Sequence, residues 1–167
     1  YYITDGDSNP VDLPLYTKVT LTVSHYNGVN RFYVNGLLVS EIADTGTNNG
    51  LLDRVGICTS SYATSPKIKI HSVSAQELIP SNVGEQIYYE DFSNEEVGDT
   101  SLPEGWTGHY YENINWDGKV ENQTTLATKI GQDENGANYL EVTAGAADQA
   151  ITLPALGTED YIFNAKL

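Results

Sequence analysis

The chain has 167 residues, of which 23 are acidic and 8 are basic, so its formal net charge is −15. An acidic surface repels phosphate groups, which argues against nucleic acid and anionic membrane surfaces as partners. The single cysteine excludes an internal disulfide bond. No apolar run reaches the roughly 20 residues that a membrane-spanning helix needs, so we expect no membrane insertion.

The acidic residues are concentrated in the second half of the chain. Residues 1–80 contain seven acidic and five basic side chains, whereas residues 81–167 contain sixteen and three. This excess is typical of a solvated acidic surface. It also fits calcium, a hard cation that prefers oxygen ligands.

The first predicted element is a three-stranded antiparallel meander over residues 17–42. Its apolar and polar residues alternate, as in a strand with one buried face. Two Asn-Gly pairs, at residues 27–28 and 35–36, separate the three runs. Both residue types tolerate positive φ and favour the tight type I′ turn. The predicted apolar face consists of Val19, Leu21, Val23, Phe32 and Val34.

Short strand-like runs continue to the C-terminus at a spacing of about ten residues, separated by Gly, Pro, Asn and Asp. A third Asn-Gly pair follows at residues 135–136, and 79–86 resembles a linker. No segment has a helical period. The pattern predicts an all-β antiparallel two-sheet sandwich. The later runs are "DRVGICTS", "PKIKIHSVSAQEL", "QIYYEDF", "WTGHYY", "TLATKI", "NYLEV", "AITLP" and "DYIFNAKL".

Two groups of motifs resemble the concanavalin A-like lectin/glucanase family of the laminin-G-like kind. "YTKVTLTVSHYNGVNRFYVNGLLVSE", "GICTSS" and "KIKIHSVSAQEL", within residues 1–78, resemble the C-terminal half of that domain. "YYEDFSNEEVGDTSLPEGW", "NYLEVT", "AITLPAL" and "DYIFNAKL", within 87–167, resemble its N-terminal half. The resemblance implies a jelly roll whose halves occur in reversed order. We therefore expect residues 1–167 to form one sandwich, circularly permuted or assembled from two half-domains, within one chain or by swapping between neighbouring copies.

An aromatic cluster at residues 106–118 is the best candidate for a ligand site. Sugar rings stack on flat aromatic side chains, while amides and carboxylates hold their hydroxyls. The alternative is that Trp106 and one of the two tyrosines belong to the core. The predicted carbohydrate-binding residues are Tyr110, Tyr111, Asn113, Asn115, Trp116 and Asp117.

Catalytic motifs of the glucanases in this superfamily are missing. Those enzymes carry alternating carboxylates in "E-x-D-x-x-E", whereas "EDFSNEE" here has a different spacing. His25, His71 and His109 fall in separate predicted strands without ligand spacing. The sequence predicts a non-catalytic chain, although the parent protein could still carry a glycanase strand elsewhere.

The resemblance also implies a structural calcium ion near the opening strand. Related β-sandwich carbohydrate-binding modules share such an ion between their opening and closing strands. Here Glu90, Asp91 and Glu95 would supply the oxygen ligands. The closing strand has His71 where those modules often carry Asp.

These features predict a carbohydrate-binding or adhesion module with a glycan partner. Both ends resemble cuts through a longer protein, and the acidic, cysteine-poor, repeat-like sequence favours a secreted or cell-surface bacterial protein. The alternative is a structural spacer or a self-assembling tandem repeat of a stalk or fibre that binds no small ligand.

Overall fold

The computed structural model describes residues 17–43, 55–59, 67–80, 82–111, 127–143 and 148–167. These residues form antiparallel sheets and contain no helix, which confirms the predicted all-β, sandwich-like fold class. The jelly-roll order and the circular permutation stay predictions. The strands are β1 Thr20–Tyr26, β2 Val29–Val34, β3 Leu37–Ala43, β4 Gly56–Thr59, β5 Lys67–Ile70, β6 Ser72–Ile79, β7 Asn82–Glu90, β8 Thr107–Tyr111, β9 Thr128–Gln132, β10 Asn138–Thr143, β11 Asp148–Thr152 and β12 Tyr161–Lys166.

The described residues divide into two compact units that each draw on distant parts of the sequence. The first unit takes its residues from Tyr1–Asp53, Ser72–Glu90 and Leu156–Leu167, and the second from Arg54–His71 and Asp91–Ala155. This division does not follow the boundary predicted at 79–86. Each sheet contains strands from both sides of that boundary. The single sandwich over the whole chain stays a prediction.

The predicted meander forms one end of the sheet in the first unit. Strands β1, β2 and β3 pair in sequence order, as the two Asn-Gly pairs indicated. Asn27 and Gly28 have φ of 50° and 71°, and Asn35 and Gly36 have 50° and 80°. Positive φ at both central residues is what a type I′ hairpin turn requires.

Strand β12 completes this sheet, whose order is β3-β2-β1-β12-β6-β7. Val23 lies opposite both Phe32 and Phe163, so the predicted apolar face of β1 is shared with β12. Of that predicted face only Val19 is buried, and the other four residues are half-buried. The buried apolar residues of the described sheet are Val39, Val73, Ala75, Tyr161, Phe163 and Ala165, with Val19 beside them.

The region predicted as a linker is mostly strand. Strand β6 ends at Ile79 and β7 begins at Asn82, and these two residues lie opposite each other in an antiparallel pair. The Pro, Ser, Asn and Gly residues of 79–86 therefore mark a hairpin, because the residues from Asn82 onward find strand partners. The run "PKIKIHSVSAQEL" is in turn divided at His71 into β5 and β6, which belong to different sheets.

The second unit contains two three-stranded sheets, β5-β10-β9 and β4-β11-β8. The third Asn-Gly pair of the chain forms the β9–β10 turn in this unit. There the Gly136 N–H donates to the Asp133 carbonyl oxygen at 3.0 Å. The Asp133 carboxylate accepts the backbone N–H groups of Asn135 and Ala137. The described buried apolar side chains of this unit are Val55, Ile70, Phe92, Trp106, Ile130, Leu140, Val142, Ile151 and Leu153.

Candidate functional site

The sugar site predicted from the aromatic cluster lies largely outside the described residues. Asn113, Asn115, Trp116 and Asp117 are among those that the structure does not describe. Tyr110 and Tyr111 belong to β8, whose backbone pairs with β11. The binding roles of all six residues stay predictions.

Trp106 is a core residue, as the alternative interpretation held. Its side chain is buried and packs edge-to-face against Phe92, with ring centroids 5.9 Å apart. Phe92 is itself fully buried. Trp106 is therefore not available as a stacking surface for a ligand.

The predicted calcium region is a hydrogen-bonded turn that follows β7. The Asp91 Oδ1 atom accepts the Ser93 N–H at 3.0 Å. The Asn138 Nδ2 atom donates to the carbonyl oxygens of Phe92 and Glu95, at 3.0 and 3.1 Å. Within the described ranges no three His, Cys, Asp or Glu side chains are placed to hold a metal ion together. Calcium binding at Glu90, Asp91 and Glu95 stays a prediction.

His25 is buried in the first unit and contacts the segment that precedes β12. Its Nδ1 atom donates to the carbonyl oxygen of Glu159 and lies 4.0 Å from Oδ1 of Asp160. The Asp160 carboxylate also accepts the Asn27 N–H at 3.0 Å. These contacts tie the first hairpin to the segment before β12, which is a structural role.

An open groove on the first unit is the strongest candidate site in the described structure. Its volume is about 320 Å³. Ser24 lies opposite Arg31, and Thr22 lies opposite Tyr33, so the groove uses the face of β1 and β2 that is not the predicted apolar face. Its lining residues are Ser24, Tyr26, Arg31, Tyr33, Leu78, Ile79 and Asn82.

Small polar side chains hold the strands together on this same face of the sheet. Thr22 and Ser24 are buried, although their alternation with valine and leucine marked them as outward-facing. The Thr22 hydroxyl donates to Oδ1 of Asn164 at 2.7 Å, which joins β1 to β12. A buried polar group needs such a partner, because leaving it unsatisfied costs about 1–3 kcal/mol.

Arg31 is the one charged side chain among the described residues that line the groove. Its Nε atom donates to Oε2 of Glu41 at 2.7 Å, across the β2–β3 pair. Among the described residues this is the only side-chain interaction of Arg31, and it uses the Nε edge of the guanidinium. A planar guanidinium held by one edge is well placed to donate from the others.

One feature of the sequence could have indicated this groove, although the aromatic cluster was selected as the candidate instead. In "RFYV", Arg31 and Tyr33 alternate with Phe32 and Val34, so the polar face of β2 carries a cation and an aromatic ring. The contribution of Leu78, Ile79 and Asn82 was not visible, because it depends on the hairpin of β6 and β7.

No protein-family model matches the chain, and no curated protein matches it either. The described residues also include no helix of the length and apolarity that crossing a membrane would require. The geometry and chemistry of the groove are therefore the basis for assigning a function to the chain.

Proposed function

We propose that this chain is a non-catalytic carbohydrate-binding module and that the groove on the first unit holds the glycan. The observation that carries the proposal is the lining, which combines Tyr26 and Tyr33 with Ser24, Arg31 and Asn82. Aromatic rings offer stacking surfaces to the C–H faces of sugars, and the polar groups can fix hydroxyl orientation.

The shape of the groove favours part of a longer glycan over an enclosed small molecule. A volume of about 320 Å³ lies at the lower end of the range for small-molecule sites, and the groove is open to solvent. A groove that is open to solvent leaves room for a polymer to extend beyond it. Adhesion to a polysaccharide requires this kind of access.

Glycan-array screening followed by titration calorimetry on the best ligand tests the proposal. Tyr33→Ala should weaken binding by roughly three- to tenfold, since an aromatic contact contributes about 0.5–1.5 kcal/mol beyond its area. Tyr89→Ala is the matched control, because Tyr89 is an exposed tyrosine of the same sheet that does not line the groove. Binding to no glycan would contradict the proposed function.

Trp116→Ala decides between the groove and the site predicted from the sequence. Loss of binding in Trp116→Ala with unchanged binding in Tyr33→Ala would assign the glycan to the 110–117 cluster. The opposite result would assign it to the groove.

We further propose that the module belongs to a secreted or cell-surface multi-domain protein, for which a bacterial origin fits the acidic, cysteine-poor sequence. An adhesion module must meet its glycan outside the cell. Antibody labelling of intact cells that produce the full protein tests this location, and labelling only after lysis would contradict it.

A structural spacer or self-assembling repeat is the second candidate, favoured by one edge of the first unit. Edge strand β3 exposes Leu37, Leu38 and Ile42, with Leu37 70% exposed. An edge strand with apolar side chains is a template for pairing with another chain. Sedimentation of the wild type and Ile42→Lys tests this, since self-association should be lost in the variant. A monomeric wild type at high concentration would eliminate the self-assembling repeat.

A further inference from the structure

The charge of the groove lining is opposite to that of the chain. The protein has 23 acidic and 8 basic residues, yet the charged side chain among the described lining residues is Arg31, which pairs with Glu41 on the neighbouring strand. An acidic chain that places a guanidinium beside two tyrosines offers a local site for an anionic group.

The partner of Arg31 holds one edge of its guanidinium, the edge that carries Nε. Glu41 holds the guanidinium through Nε at 2.7 Å, and in the described structure Arg31 makes no other side-chain interaction. A guanidinium has donors and no acceptor, so its Nη groups match acceptor-only ligands. A carboxylate or sulfate can accept two parallel N–H groups from it.

The other side chains of the groove favour a ligand whose anionic group is attached to a ring. Tyr26, Tyr33, Leu78 and Ile79 contribute aromatic and aliphatic surface to the same groove. The ligand that satisfies both parts of the lining has a flat C–H face and an anionic substituent on the ring. An acidic sugar has both features.

We propose that the groove selects an acidic glycan, in which Arg31 pairs with the ring's carboxylate or sulfate while Tyr33 stacks on the ring. This inference rests on the proposed carbohydrate-binding function and narrows its ligand class. Arg31 is then the specificity-determining residue, and Glu41 is a positioning residue that acts through it.

Salt dependence is a poor test of this pairing. The net charge of −15 repels any anionic ligand, and added salt screens that repulsion together with the attraction to Arg31. A matched pair of ligands that differ only in charge isolates the contribution of Arg31.

Titration calorimetry with trigalacturonate and its methyl ester supplies that pair. The ester keeps the ring and removes the charge, so the wild type should bind the acid at least about tenfold more tightly. Arg31→Gln should bring the two affinities together, and Arg31→Lys should keep part of the preference, because Lys retains the charge without the fork. A second arm uses a sulfated galactan oligosaccharide and its desulfated form, which distinguishes sulfate from carboxylate.

Two controls separate this inference from the function on which it rests. Tyr33→Ala should weaken the acid and the ester by the same factor, since it removes stacking alone. Lys69→Gln removes a positive charge from the second unit and should leave the preference unchanged. Circular dichroism of Arg31→Gln verifies its fold, since loss of one surface ion pair should change stability little.

Each outcome is decisive. If the wild type binds the charged and neutral member of each pair equally and Tyr33→Ala weakens both, the glycan function stands and the acidic-glycan inference is wrong. If the preference survives in Arg31→Gln, the anion lies elsewhere and the inference is also wrong. If neither these ligands nor any glycan on an array binds, both the acidic-glycan inference and the proposed carbohydrate-binding function are wrong.

Discussion

The two units of the chain consist of the same kind of strand but distribute apolar side chains in opposite ways. Among the described residues, eight large side chains are fully buried, and seven of these belong to the second unit, Val73 being the exception. Eight large hydrophobic side chains are exposed, and seven of these belong to the first unit, Val97 being the exception.

The second unit therefore contributes more to the stability of the chain, and the first unit offers more accessible apolar surface. A unit with fully buried side chains gains most from the transfer of apolar area out of water. The first unit instead has half-buried strands, small buried polar residues such as Thr22 and Ser24 on the groove face, and exposed edges. The groove thus lies on the unit whose apolar surface is still accessible, where a ligand or another chain has most to contact.

The most severe test of the comparison divides the chain at the β6–β7 hairpin. We expect fragments 1–80 and 85–167 not to unfold cooperatively when separate, because β12 pairs with both β1 and β6 and would leave the first sheet without its central strand. The second unit would also lose β4 and β5. Mixing the fragments should restore a cooperative transition, measured by circular dichroism.

Cooperative unfolding of each fragment alone, with no gain on mixing, would contradict this expectation. It would also contradict the single sandwich predicted over residues 1–167. Sedimentation of the mixture separates pairing within one complex from swapping among several copies.

A matched leucine pair measures the difference between the two units directly. Leu140 is 0% exposed in the second unit, and Leu37 is 70% exposed in the first. Leu140→Ala should lower the free energy of unfolding by about 2–5 kcal/mol, whereas Leu37→Ala should change it by at most about 0.5 kcal/mol. Urea denaturation of both variants gives the comparison, and equal effects would show that burial does not distinguish the units.

Calcium would add a stabilising term near the end of β7 if the prediction from the resemblance holds. A ligand that binds only the folded state contributes about 2.7 kcal/mol at 100 times its Kd. Millimolar calcium should then raise the melting temperature relative to EDTA by several degrees, and Asp91→Asn should reduce this rise. An unchanged melting temperature would remove the site at Glu90, Asp91 and Glu95.

The parts of the fold that could be predicted are those that local chemistry determines. The Asn27-Gly28 and Asn35-Gly36 pairs determine two hairpins, because few other residues tolerate positive φ at both turn positions. The alternation along β1 and β2 likewise determines which residues share a face. These features need no knowledge of the rest of the chain.

The parts that could not be predicted depend on pairing between distant segments. The pairing of β12 with β1 and β6, which places Phe163 opposite Val23, joins segments that are far apart in the sequence. The groove needs the tip of the β6–β7 hairpin, where 79–86 had suggested a linker. The aromatic cluster, in contrast, drew attention because its residues are adjacent in sequence.

The smallest expected effect concerns acid stability and one turn of the second unit. The Asp99 carboxylate accepts the Ser101 N–H at 2.8 Å, and the backbone and side chain of Ser101 together hold the pKa of Asp99 below its usual value of 3.8. A carboxylate whose pKa is lower in the folded state stabilises the fold above its unfolded pKa. That stability is lost as the pH falls through the folded pKa.

Asp99→Asn should therefore flatten the acid side of the stability–pH curve below about pH 4 and change little at neutral pH. Ser101→Ala should flatten it less, since the alanine keeps the backbone N–H and removes only the hydroxyl donor. Both changes should be small because the carboxylate is solvent-accessible and water competes for it. Urea denaturation between pH 2.5 and pH 7 measures the slopes. If Asp99→Asn leaves the acid slope unchanged, acid unfolding begins elsewhere in the chain and this turn of the second unit does not contribute to it.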